Sequence, residues 1–209
     1  MTLTDMAERL NQVFRQKESK SGRKLPPGFF ITDQQAAPFP EKIISTLPTG
    51  FGVIFRDYDH PARAALGKSL AGLCRQRGLV FLVAGDAMLA SGLDADGIHL
   101  PEAMMDQVSQ IRQDHPDRII TTSCHNPDSV RRAASLPLDA ILIAPVFPTQ
   151  SHPETVSGAQ ATLGLSGVLN MTSQTTLPLY GLGGITVANA DDLMVTGLAG
   201  IAAIRGFRA

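Results

Sequence analysis

Eight short apolar runs recur along the chain, mostly at intervals of about twenty residues or a little more, and none of them is polar at alternate positions. They cover residues 28–32, 51–56, 79–84, 97–100, 118–122, 140–144, 178–182 and 200–204. A strand with one wet face alternates; a strand buried on both faces does not. Burial on both faces marks a parallel sheet covered by helices. Helices are predicted in the intervals, over 61–77, 102–114, 127–135, 159–171 and 187–196. Pro61 and Pro127 suit a first helical position, with His60 and Asn126 as caps. Asn126 is the better cap, because its side-chain oxygen accepts from unpaired N–H groups of the first turn. Gly78 and Gly197 suit helix ends.

Alternating strands and helices require right-handed crossovers, which an open doubly wound sheet and a closed barrel both satisfy. Eight strands favour the barrel. Such barrels commonly run to ~250 residues, so a chain of 209 makes a short-looped one. The fold expected is therefore α/β, a single (β/α)8 TIM barrel over residues 25–209. Residues 1–24 precede it, as an extra N-terminal helix over 5–17 and a Gly/Ser/Lys joint over 19–24. That helix is expected to cap the bottom of the barrel.

Composition narrows the partners. A net charge of −1 gives no electrostatic reason to expect nucleic acid or an anionic membrane surface. No run approaches the ~20 apolar residues of a membrane span. The polar, amphipathic N-terminus lacks the apolar centre of a signal peptide. Cys74 and Cys124 lie in no metal-ligand spacing and read as reduced, buried thiols. These features predict a cytoplasmic protein with a small-molecule partner. A homo-oligomer is left open.

Two segments carry chemistry. The run Leu179–Ile185, LYGLGGI, ends in Gly183 and Gly184, where the backbone can approach a ligand closely. A helix near Val187 would point its positive end at the same place. The run from Gly200 ends in Ile204 and Arg205 before Gly206. In barrels the loops after the seventh and eighth strands form the usual phosphate site, and a guanidinium there can grip a phosphate in two places. The plainer alternative is that the glycines only make tight turns. The second segment, residues 143–152, leads through Pro145 and Pro148 to Thr149, Ser151 and His152. The hydroxyls suit hydrogen bonding to a phosphate, and the imidazole suits general acid or base work. His99 and Ser123 at the ends of their strands read as substrate contacts, and His125 with Asn126 as the shaping of a helix entry.

Taken in order, Ile31-Thr32-Asp33, Phe55-Arg56-Asp57, Ala95-Asp96-Gly97-Ile98-His99-Leu100, Ser123-Cys124-His125-Asn126, Pro145-Val146-Phe147-Pro148-Thr149 and Gly183-Gly184-Ile185 resemble the thiamine phosphate synthase family, with its thiazole tautomerase relatives. The resemblance runs from about Phe29 to Gly206. It implies a transferase that joins hydroxymethylpyrimidine diphosphate to thiazole phosphate, with Mg²⁺, releasing pyrophosphate. Together with the strand-end reading, it points to Arg56 and His152 for catalysis, and to His99, Ser123, Thr149, Ser151, Gly183, Gly184, Ile204 and Arg205 for substrate and phosphate binding. For the metal it points to Asp86, with Glu102 as the carboxylate near the second position.

The departures from the family pattern cluster on one side. The pattern Gln-x-Arg-x-Lys after the second strand is Ile54-Phe55-Arg56-Asp57-Tyr58 here. Asn-Asp after the third strand becomes Gly85-Asp86, and Met104 stands where a second metal carboxylate is expected. The lysine of the sixth-strand loop is replaced by His152, and Arg205 replaces a small hydroxyl residue. The tautomerase histidine before Val-Phe is Pro145, as in the synthases. Because the losses fall on the diphosphate and metal side, two further expectations stand beside the synthase. One is an isomerase-like enzyme acting on a thiazole phosphate. The other is a non-catalytic binder of thiamine phosphate.

Overall fold

In the computed structural model of the chain, residues 1–17, 23–150, 153–157 and 161–207 are described. Eight parallel strands close into a barrel in sequence order. They are β1 (Gly28–Ile31), β2 (Gly52–Phe55), β3 (Val80–Ala84), β4 (Gly97–Leu100), β5 (Ile119–Cys124), β6 (Ala140–Ile143), β7 (Leu179–Leu182) and β8 (Gly200–Ala203). The pairing of Phe29 with Ala202 and Phe30 with Ala203 joins β1 to β8 and shuts the cylinder. Each apolar run supplied a strand. Most strands are slightly shorter than their runs; β4 matches its run, and β5 continues past it to Cys124.

The absence of polar alternation has a direct cause. Successive side chains point to opposite faces of a strand, and here both faces are dry. Phe29, Ile31, Ile54, Leu82, Leu142 and Tyr180 fill the barrel interior, while Phe30, Val53, Phe55, Phe81 and Ile141 pack outward under the helices. Tyr180 meets Phe29 edge-on at 5.0 Å between ring centres and donates its hydroxyl to Pro26 O at 2.7 Å, so its one polar atom is satisfied inside the barrel.

The helices are α1 (Leu3–Lys17), α2 (Pro40–Ile44), α3 (Arg63–Arg77), α4 (Ala87–Gly92), α5 (Val108–Asp114), α6 (Pro127–Ala134), α7 (Pro153–Val156) and α8 (Gly164–Thr172). Two 3-10 turns, Glu102–Gln107 and Ala190–Val195, stand before α5 and β8. Asn126 caps α6 in a reciprocal box with Ser129, and Pro127 takes the first turn as expected. Elsewhere the expectations need correction. The helix predicted from Pro61 begins at Arg63 after Ala62, because His60 Nδ1 accepts from Ala62 N and ties that stretch into a turn. The helix predicted over 187–196 is only the 3-10 turn Ala190–Val195. Of the helix predicted over 159–171, residues 159 and 160 lie outside the described residues, as does most of the joint predicted over 19–24. The short helices α2 and α4 carry too little apolar periodicity to be predicted.

The helix α1 runs along β8, β1 and the Ala190–Val195 turn, and its last turns reach the N-terminal ends of the strands, where Arg15 Nη2 donates to Leu25 O at 2.9 Å and Phe14 packs against the interior cluster. Leu3, Met6, Ala7 and Leu10 are buried there, and Asn11 Nδ2 donates to Ala199 O at 2.8 Å. The last described residues after β8, through Phe207, form no helix, so the helix before β1 covers the seam between the last strand and the first.

Candidate active site

At the C-terminal ends of the strands a cavity of about 370 Å³ opens between β6, β7 and β8, with β2 opposite. Arg56, Thr149, Gly183, Gly184, Ile204 and Arg205 line it. These six predicted site residues, from four separate stretches of sequence, are brought to one place.

The floor is the turn after β7. Val146 N donates to Leu182 O and Phe147 N to Gly183 O, which straps the β6 loop to this turn. Asn189 clamps the other side. Its Nδ2 donates to Gly184 O at 2.9 Å, and its Oδ1 accepts from Thr186 N at 2.8 Å. The N–H groups of Gly184 and Ile185 then meet no acceptor among the described residues. Both residues line the cavity, so the turn offers two backbone donors to an anion. The attraction expected from an α-helix after this turn is absent, because the chain enters the 3-10 turn Ala190–Val195 instead. Asn189 was missed from the sequence; an Asn five residues after Gly184, able to bond back to its own turn, was the available signal.

Arg56 projects from the end of β2 into the same cavity. Its backbone N–H donates to Thr32 Oγ1 at 3.0 Å, and its guanidinium pairs with Asp33 at the end of β1. Asp33 is itself fixed by accepting from Gln35 N and Ala36 N. One face of the guanidinium is thus anchored and the group is aimed rather than free to swing.

His99 and Ser123 sit together rather than in the cavity lining. His99 Nδ1 lies 2.9 Å from Thr121 Oγ1 and Nε2 lies 3.0 Å from Ser123 Oγ. Burial, and after it the charge of Arg56, push the imidazole down to about 4. The ring is therefore neutral at neutral pH, with one nitrogen donating and the other accepting.

The two residues expected to hold a metal make contacts within the protein. Asp86 Oδ1 accepts from Leu89 N at 2.8 Å as the cap of α4, and Oδ2 lies 3.4 Å from Arg63 Nη1. Glu102 Oε2 accepts from His125 N at 3.0 Å, which ties the β5 turn to the turn after β4. His125 Nδ1 in turn bonds Ala144 O at 2.8 Å, so His125 shapes the ends of β5 and β6. No cluster of three or more potential metal-binding side chains exists among the described residues. Ser151 and His152 lie outside the described residues. Cys74 and Cys124 are buried, and burial pushes both thiols up to about 12, so neither is a nucleophile at neutral pH.

Comparison with known proteins gives a consistent picture. The family model for thiamine monophosphate synthase matches residues 29–207. A thiamine-phosphate synthase of Bacillus mycoides is 28% identical over 195 residues, covering 90% of this chain and 87% of that one. A thiamine-phosphate synthase of Bacillus velezensis is 34% identical over 143 residues, covering 68% of this chain and 62% of that one. Among solved structures, a thiamine phosphate pyrophosphorylase from Pyrococcus furiosus superposes with a TM-score of 0.71 at 27% identity, covering 85% of this chain and 84% of that one. No helix among the described residues is long and apolar enough to cross a membrane.

Proposed function

This chain belongs to the thiamine monophosphate synthase family, and we propose that it joins a pyrimidine diphosphate to a thiazole phosphate to give thiamine phosphate and pyrophosphate. The observation that carries this reading is the convergence of Arg56 with the Gly183-Gly184 turn around one cavity. The thiazole phosphate would take its place on the turn after β7, against the N–H groups of Gly184 and Ile185, with Arg205 and Thr149 at the rim. Arg56 reaches in from the opposite wall, where the diphosphate would lie.

In the reaction, the bond from the pyrimidine's exocyclic carbon to the diphosphate oxygen breaks, and its electron pair leaves with the diphosphate. The lone pair of the thiazole nitrogen then forms the new bond to that carbon. Arg56, held by Asp33, would stabilise the charge growing on the leaving group. A fixed donor of this kind typically contributes roughly 3 kcal/mol to a transition state. His99, neutral at neutral pH, adds no positive charge to a site where a pyrimidine cation forms. Asp86 faces Arg63 and Glu102 accepts from His125 N, so both are tied into the protein and the charge on the leaving group is met by the guanidinium of Arg56.

That engagement also favours a second reading, in which a single phosphorylated heterocycle is isomerised or simply held. Supplying both substrates and following thiamine phosphate and pyrophosphate together separates the two. Joint appearance supports the synthase. Turnover of thiazole phosphate alone, or thermal stabilisation by it without any turnover, supports the second reading.

A further inference from the structure

At the end of β3 the positive charge is supplied by the chain itself. Arg63, the first residue of α3, folds back over the barrel mouth. Its Nη2 donates to Ala84 O at 2.7 Å, and Nη1 lies 3.4 Å from Asp86 Oδ2. The guanidinium carbon sits 5.4 Å from the ring centres of both Phe55 and Tyr58, a distance at which a cation is attracted to an aromatic face. The side chain is only 17% exposed, so its position is fixed by packing as well as by hydrogen bonds. Tyr58 lies over Gly85: a Cβ there would stand 3.0 Å from Tyr58 Cε1 and 3.7 Å from Met104 Sδ. Tyr58 and Met104 thus occupy the space over Gly85, the residue before Asp86. Burial raises the Tyr58 hydroxyl, and the positive charges of Arg56 and Arg63 both act against that rise, so both guanidinium groups lie near the same residue.

We propose that Arg63 is the resident cation of this half of the mouth: it holds the place against Asp86 that a divalent ion would take, and with Arg56 it receives the diphosphate without a metal. This rests on the synthase reading. The geometry supports it because Asp86 caps a helix with one oxygen and faces the Arg63 guanidinium at 3.4 Å with the other, so a divalent ion on that oxygen would meet a positive charge already in place. A fixed guanidinium also binds phosphate oxygens directionally, as a metal does.

The test is calorimetric titration of inorganic pyrophosphate into the protein saturated with thiazole phosphate, once in EDTA and once in Mg²⁺. Pyrophosphate is expected to bind in EDTA, with little change on adding Mg²⁺. Arg63→Gln should weaken that metal-free binding by about tenfold or more, and Arg63→Lys by less, since a charge-assisted hydrogen bond is lost in the first and a charge kept in the second. Arg63→Gln also removes the bond to Ala84 O, so its melting temperature and thiazole phosphate affinity are measured alongside. The unaltered protein provides a second check: titrated with Mn²⁺ and followed by electron paramagnetic resonance, it should show no bound ion. Pyrophosphate binding that requires Mg²⁺, a bound Mn²⁺ signal, or unchanged binding in Arg63→Gln would overturn the proposal while leaving the synthase reading intact. No pyrophosphate binding in either buffer, with thiazole phosphate bound, would overturn both.

Discussion

Gly184 lies so close beneath Pro148 that a Cβ on it would stand 2.5 Å from the Pro148 carbonyl oxygen. The same residue has φ of +67°, in the left-handed region. The β7 turn and the β6 loop therefore interlock at a point where only glycine fits. Gly184→Ala is expected to lose stability by about 2 kcal/mol or more, from the backbone conformation and the displaced carbonyl together. It should also lose most of its affinity for a phosphate ester, because the donors of this turn move with it. Chemical denaturation and a binding titration with thiazole phosphate check both. Unchanged affinity would show that the phosphate does not sit on this turn.

Asn189 holds the same turn from the far side through both ends of its amide. Its replacement by Ala removes two hydrogen bonds without touching the cavity lining. Affinity for thiazole phosphate should fall by about tenfold, with a stability cost near 1 kcal/mol. Equal affinity in wild type and Asn189→Ala would remove Asn189 from the site.

The buried imidazole of His99 predicts a pH dependence. Its ordinary value of 6.5 falls to about 4 in the fold, so between these limits the unfolded chain binds the extra proton. The stability gained from a neutral His99 is therefore fully present above about 6.5 and declines as pH falls towards 4, by at most a few kcal/mol. Urea denaturation from pH 7.5 to 4, compared with His99→Gln, tests this. The slope over that window should be shallower in the variant. Identical slopes would place the proton elsewhere.

Leu10 on α1 is 1% exposed, packed where the helix lies across the seam between β8 and β1. Leu10→Ala should cost roughly 2–5 kcal/mol, the range for a core leucine left as a cavity. A cost below 1 kcal/mol would mean that the seam is closed without α1.

The barrel was legible because dryness on both faces of a strand leaves its mark in every residue of the run, and eight such runs are hard to place otherwise. The turn after β7 was legible for a similar reason: glycines at a strand end, as at Gly183 and Gly184, record a backbone demand. The features that escaped were of longer range. The place of α1 depends on where the chain leaves β8, which no local pattern records. The contacts of Asp86 and Glu102 were not legible, because a carboxylate beside a strand end looks alike in sequence whether it faces a metal, a guanidinium or a helix N-terminus. The position of Arg63, on the helix before β3 but reaching back over the mouth, is what reveals the contact of Asp86. Asn189 escaped because a side chain bonding to its own turn resembles any loop asparagine.

The most direct measurement incubates the protein with hydroxymethylpyrimidine diphosphate and thiazole phosphate and quantifies thiamine phosphate and pyrophosphate in the same samples over time. The account predicts that the two products appear in equal amounts, and that Arg56→Gln lowers the rate by about a hundredfold or more while thiazole phosphate still binds. Absence of both products from folded protein that binds thiazole phosphate would contradict it.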